Sequence, residues 1–248
     1  MLAKQQEQEQ KVAEASAEDT PIINLVNKGD LATLKKEIEE MEQEALTQVS
    51  AEGARDIVVK MLDERDSMGQ TPLHVVNRGD DTSVEIARYL LSKGANVNAL
   101  DNGNSNPVFS AVERLGVLKS AQIALTKAVS EELQRTGKDK FFDAAPAYQK
   151  AFIENVQVTI ALLDLFISVG GNYQHKNIKG AHPLQYLCAA AKMDEIQQAR
   201  SLVANIDYPS FDKAFQEYSN PSHAATVKQD SSNGQSNGKK KGGGCVIM

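Results

Sequence analysis

The chain has 248 residues, 41% of them apolar and 24% charged, with a formal net charge of -6, two cysteines and no tryptophan. That length supports a sizeable core, two cysteines cannot build a disulfide scaffold, and no apolar run approaches the roughly 18 residues of a membrane span. A pI near 5.3 argues against a general nucleic-acid binder.

Residues 1–19 form a Gln- and Glu-rich leader without the apolar run of a secretory signal. The net acidity is confined to the first 60 residues, which hold 13 acidic and 7 basic side chains, while the remainder holds 20 of each. Its densest stretch, Glu37, Glu39, Glu40, Glu42 and Glu44, reads as one solvated helix face. From Thr20, TPIINLVNKGDLATLKK predicts a short helix closed by Gly29 and followed by a second helix. An insertion over about 42–64 comes next and predicts a further helix between Ala51 and Leu62.

Three later segments share a plan. DSMGQTP, DNGNSNP and NIKGAHP each place an Asp or Asn six positions before a proline: Asp66/Pro72, Asp101/Pro107 and Asn177/Pro183. Gly69 and Gly180 stand three before their prolines and Asn104 holds the matching place, the residue besides Gly that most readily accepts a left-handed backbone. After the first of these turns, Thr71 is placed to N-cap a short helix with Pro72 at its first position, His74 within reach of the Thr71 hydroxyl, and Gly79 at its end. Val84, Ile86, Ala87, Leu90 and Leu91 then fall at helical spacing, and Gly94-Ala95-Asn96-Val97-Asn98 turns the chain toward the next Asp.

TPLH, the LL-x-x-G-A-N-V-N segment and the D-x-x-G turn resemble the ankyrin repeat, most closely over about residues 66–100. The resemblance implies an all-α solenoid of about four degenerate repeats over residues 20–206, with turn fingers projecting along one side. It also implies that a protein partner is bound by the finger tips and the concave helix face, which by position nominates Met68, Gln70, Asn102, Asn104, Lys176 and Lys179. Successive prolines are 51, 35 and 76 residues apart, against a repeat of about 33. The last interval therefore predicts that both helices of repeat three are elongated into an antiparallel hairpin, with added length over about 116–150 and a tip near Lys138–Phe142. Gly116 is the position where the first of these helices is expected to break or kink. Phe141 and Phe142 at the tip are candidates for a partner anchor.

Residues 207–218 form an extension beyond the repeats, and 219–244 a flexible linker rich in Ser, Asn, Gly and Lys. The chain then reads Cys245-Val-Ile-Met248, a C-a-a-X prenylation signal whose final Met predicts farnesylation of Cys245. Farnesyltransferase is thus an expected partner, and Lys239, Lys240 and Lys241 supply the electrostatic second signal that one lipid chain needs for membrane attachment.

No Ser elbow, P-loop, HExxH or paired-cysteine pattern occurs, so no catalytic residue, metal or cofactor is expected. His74 reads as structural, His175 and His182 as surface or capping residues, and Cys188 as a small buried residue of a repeat helix. The function expected is a non-enzymatic interaction module, lipid-anchored at the cytoplasmic face of membranes. The combination resembles ankyrin-repeat effectors of intracellular bacteria of the Legionella type, which implies secretion into a host cell and recruitment of a host protein at host membranes. The alternatives are a prenylated subunit targeting a cellular enzyme such as a phosphatase or GTPase, and an enzyme with a pocket in repeat three.

Overall fold

A computed structural model of the chain describes residues 21–136, 144–203 and 206–219, and among them every regular element is a helix. α1 spans Pro21–Lys28, α2 Leu31–Gln48, α3 Ala51–Leu62 and α4 Asp81–Ser92. α5 and α6 are long, Pro107–Thr136 and Ala144–Ser168, and α7, α8 and α9 span Pro183–Ala190, Met193–Ser201 and Pro209–Ser219. The fold is an all-α repeat solenoid: helices stack side by side around one continuous apolar core.

Local chemistry sets the helix starts. Asp30 accepts the Thr33 N–H at 3.0 Å, Ser50 that of Gly53 at 3.3 Å, and Asp80 that of Ser83 at 3.1 Å, each an N-cap. α2 buries Leu34, Ile38 and Ala45 and turns Glu37, Glu39, Glu40 and Glu44 to solvent, so its acidic run is the outer face of a packed helix. Glu42 alone is half-buried, and its hydrogen bond to the Lys93 ammonium of α4 holds that amine above its ordinary pKa. α3 is the extra helix of the first expanded interval and packs along α2 through Ala54, Val58 and Leu62.

The helix expected from Pro72 to Gly79 is a single turn. The His74 N–H donates to the Thr71 carbonyl at 2.9 Å, and the chain then leaves helical geometry. Asn77 accounts for the departure, because its side-chain amide donates to the Ala111 carbonyl (2.5 Å) and the Thr159 hydroxyl (3.1 Å) while its oxygen accepts the Gly79 N–H (3.1 Å). The backbone N–H groups of Arg78 and Gly79, which a continuing helix would donate to carbonyls four residues back, go instead to Ser83 Oγ (3.0 Å) and Asn77 Oδ1 (3.1 Å).

α5 and α6 are antiparallel, as shown by Arg114 bonding Asn155 while Asn77 bridges Ala111 and Thr159. α5 runs unbroken through Gly116. A Cβ there would stand 2.8 Å from the Tyr186 ring, so this glycine admits α7 rather than breaking the helix. Tyr186 in turn packs its ring 5.5 Å from that of Phe109. By length and composition α6 could cross a membrane over Ala147–Ser168, but it is the central helix of the stack. Val156, Ile160, Leu163 and Phe166 are fully buried, and α4, α5, α8 and α9 all pack on it.

The segment beyond residue 206 completes this core. Asp164 of α6 accepts the N–H groups of Ser210 (2.8 Å) and Phe211 (3.0 Å), capping the start of α9 from a different helix. Phe211 and Ala214 are buried against α6, Phe211 stacks on Phe215, and Arg200 of α8 pairs with Asp212 at 2.7 Å.

Candidate interaction surface

The three Asp/Asn turns form one row of fingers with the same internal wiring. In the first, Asp66 Oδ1 accepts the N–H groups of Met68 (2.9 Å) and Gln70 (2.7 Å). In the second, Asp101 Oδ1 accepts those of Gly103 (2.8 Å) and Ser105 (2.7 Å). In the third, Asn177 Oδ1 accepts those of Lys179 (3.0 Å) and Ala181 (3.1 Å). Each finger needs a left-handed residue, and Gly69 (φ 75°), Asn104 (φ 55°) and Gly180 (φ 72°) supply it.

Backbone bonds lace the fingers together. Asn102 N–H donates to the Met68 carbonyl and Ile178 N–H to the Gly103 carbonyl, both at 3.0 Å. Side chains add to the lacing: Asn102 donates to Ser67 O (3.2 Å), Asn104 to Lys176 O (3.0 Å), and His175 Nε2 to Asn104 O (2.9 Å). Arg65 reaches the carbonyls of Gly69 and Leu100. The row is therefore preorganised.

Of the residues nominated by position, Met68, Asn102, Asn104 and Lys179 are exposed and Gln70 and Lys176 half-buried. The two asparagines spend their amides tying finger to finger, which leaves Met68 and Lys179 as the nominated side chains that project. Sequence reasoning missed Ile178, whose 74% exposure is the highest given for any large apolar residue here. Its place between two lysines at a turn tip was the available signal. Phe141, Phe142, Lys239, Lys240, Lys241 and Cys245 lie outside the described residues.

The histidines separate by environment. His74 is buried: Nδ1 accepts the Thr71 N–H (3.0 Å), lies 2.9 Å from the Thr71 hydroxyl, and leaves Nε2–H to donate to the Ser105 carbonyl of the next finger at 3.1 Å. Burial holds its pKa below the ordinary value, so the ring is neutral, and its two bonds bolt one repeat to the next. His182 stands at the cap position of α7, but its ring does not cap; Nδ1–H donates to Gln174 O at 2.9 Å, and burial followed by nearby Lys176 lowers its pKa. Cys188 is half-buried rather than buried, because the inward face of α7 is Pro183, Leu184, Leu187 and Ala190 and position 188 falls on its flank. Behind the fingers, Glu113 of α5 has its carboxyl raised by burial and by Asp101, with Lys179 opposing the shift. Among the described residues, no group of His, Cys, Asp and Glu is arranged to hold a metal.

The span from the first finger tip to the second decides the relationship. Residues 68–102 are an ankyrin repeat. The ankyrin repeat covers the best-formed unit of the stack, running from Met68 through α4 to Asn102. Among solved structures, the chain is similar to one in the complex of the predatory endopeptidase Bd0816 from Bdellovibrio bacteriovorus with the immunity protein Bd3460. The two are 19% identical over 74% of this chain and 98% of that chain, with a TM-score of 0.28. No curated protein sequence matches the chain.

Proposed function

We propose that the protein is a non-enzymatic interaction module that recruits a protein partner to a membrane, where a farnesyl group on Cys245 holds it. The ankyrin repeat supports the protein-interaction part, and the observation that carries it is the finger row itself. Its backbone is fixed by bonds within and between turns before any partner arrives, so binding there costs little ordering entropy. Met68 is the projecting side chain for that contact, with Gln70, Asn102 and Asn104 on the first two fingers beside it. The reading as an effector secreted by an intracellular bacterium, acting at the cytoplasmic face of host membranes, rests on the pairing of such a repeat with a eukaryotic lipidation signal.

The lipid part is supported by Cys245-Val-Ile-Met248, by the basic cluster Lys239, Lys240 and Lys241, and by the polar segment before them. Two experiments test the two halves. Incubation with farnesyltransferase and its lipid donor is expected to raise the intact mass by one farnesyl group, and Cys245→Ser to abolish the gain; an unchanged mass in the unsubstituted chain refutes the anchor. Proximity labelling in host cells is expected to recover a partner whose capture falls at least tenfold with Met68→Ala combined with Gln70→Ala. Undiminished capture refutes the finger row as the binding surface.

A further inference from the structure

The third finger differs from the other two in what it presents. Its tip reads Lys176-Asn177-Ile178-Lys179, and Ile178 is 74% exposed between two cations. The tip is not loose: Ile178 N–H is bonded to Gly103 O at 3.0 Å and Asn177 closes the turn beneath it. An exposed apolar side chain on a bonded turn, with a lysine close in sequence on each side, matches the chemistry of an anionic bilayer surface. There the aliphatic group enters the acyl boundary while the cations meet lipid phosphates.

The position of this tip relative to the C-terminal segment points the same way. α9 runs alongside the end of α6, from the Asp164 cap at Ser210 to Glu217, whose carboxylate accepts the hydroxyl hydrogen of Tyr173. Tyr173 stands three residues before Lys176, and Glu217 two before Ser219, where the described chain ends. The leash to Cys245 therefore starts beside the third finger. Residues 220–244 lie between the end of the described chain and Cys245. A covalent link to a surface raises the effective concentration, against that surface, of whatever lies nearest the point of attachment.

We propose that Lys176, Ile178 and Lys179 form a membrane-contacting tip that orients the lipid-anchored protein with its third finger against an anionic bilayer. Met68, Gln70, Asn102 and Asn104 of the first two fingers then remain for the protein partner. The inference rests on the farnesylated reading above, and its test separates the two. The chain has no tryptophan, so Ile178→Trp installs a single reporter at an exposed position. The farnesylated full chain is mixed with phosphatidylcholine vesicles containing about one third phosphatidylserine, and vesicle binding is read by co-sedimentation. On the bound protein, Trp emission is expected to shift to the blue and to be quenched by nitroxide-labelled lipid. In the Ile178 chain, Lys176→Gln and Lys179→Gln are each expected to weaken partition about fivefold. Bound protein with unchanged emission overturns the tip while leaving the anchor intact. If Cys245 takes no farnesyl group, the same reporter chain carrying Cys188→Ser is coupled through Cys245 to a maleimide lipid; a blue shift there supports the tip although the anchor has failed. A shift produced by a soluble partner protein and not by vesicles assigns Ile178 to protein binding and overturns the proposal.

Discussion

Replacing His74 by alanine isolates the bond that joins the ankyrin repeat to the expanded one. The ring sits between Thr71 and Ser105, which are 1% and 3% exposed, so its removal strips partners from buried groups. Two backbone groups then lose their partners, the Thr71 N–H and the Ser105 carbonyl. Each stranded buried group costs about 1–3 kcal/mol, and the void left by the ring adds roughly 1 kcal/mol. The expected loss is about 3–7 kcal/mol, a large fraction of the roughly 5–15 kcal/mol that holds a typical domain folded. Urea unfolding of the full chain, followed by far-ultraviolet circular dichroism, measures it. The variant is also expected to show a lower m-value, since the repeats on either side of the missing bolt unfold less cooperatively. A loss below about 1 kcal/mol with an unchanged m-value would refute the assignment of His74 as an inter-repeat bolt.

The same geometry fixes a sign for pH. Nδ1 accepts from Thr71, so the folded state holds the neutral ring, and burial depresses its pKa. As pH falls the unfolded chain takes up the proton first, near the ordinary value of about 6.5. Stability is full above that value and declines as pH falls from it toward the depressed folded pKa, by up to about 1.4 kcal/mol per pH unit for one proton. His182 is depressed as well, by burial and then Lys176. His74→Gln is therefore expected to keep part of the slope, and His74→Gln with His182→Gln to reduce it further below about pH 6.5. A slope unchanged by both substitutions would place the titrating groups elsewhere.

Three further substitutions probe separate joints. Asn104 is left-handed and also bonds Lys176 O; Asn104→Ala loses the bond and strains the backbone, whereas Asn104→Gly loses only the bond, so alanine should be the less stable by about 1 kcal/mol in chemical denaturation. Gly116→Ala should show its helical gain of about 1 kcal/mol only when Tyr186 is truncated to alanine, because a Cβ meets that ring at 2.8 Å; a full gain in the Tyr186 background refutes the close-approach account. Asp164→Ala removes the acceptor of the Ser210 and Phe211 N–H groups, and at about 1–2 kcal/mol for a lost cap should raise hydrogen exchange at those amides about tenfold or more while leaving α4 unchanged.

Legibility in the sequence followed the range of the interactions. The three fingers were readable because an Asx side chain six residues before a proline, with Gly or Asn between, closes its turn within five residues; each such bond is present. The N-caps at Asp30, Ser50 and Asp80 are equally local. What escaped was chemistry between residues far apart in the chain. Asn77 looked like part of a helix because Thr159, 82 residues away, gave no local sign. Gly116 looked like a breaker because Tyr186 is distant, and the cap that starts α9 gave no local sign because it comes from Asp164. In the finger row, Asn102 and Asn104 stand in the second turn, and their amides are used between fingers. Only the three-dimensional row reveals that, and with it the projection of Ile178.

The 76-residue interval shows how a repeat can grow without breaking its stack. Equivalent contacts recur across it: Asn96 accepts the Asn98 N–H, and Asn172 that of Gln174, at 2.9 and 3.0 Å. The two loops also bond each other, Asn98 accepting Asn172 N–H at 2.8 Å and donating to Gly170 O at 3.0 Å. α5 starts at Pro107, directly after the second finger, and α6 ends at Ser168, just before the third. All the added length therefore lies at the far ends of both helices, and the finger spacing is set by ordinary repeat contacts. Extra helix so far from the row must find its own partners. Glu195 of α8 supplies one set: it is 5% exposed, caps Lys192 N–H at 2.8 Å, and takes Lys119 and Gln149 from α5 and α6 at 3.4 and 3.3 Å. Lys119 also lies 4.9 Å over the Phe152 ring. A buried carboxylate with three donors from three elements fixes their mutual register more sharply than apolar packing alone, and this junction ties the lengthened hairpin to α8.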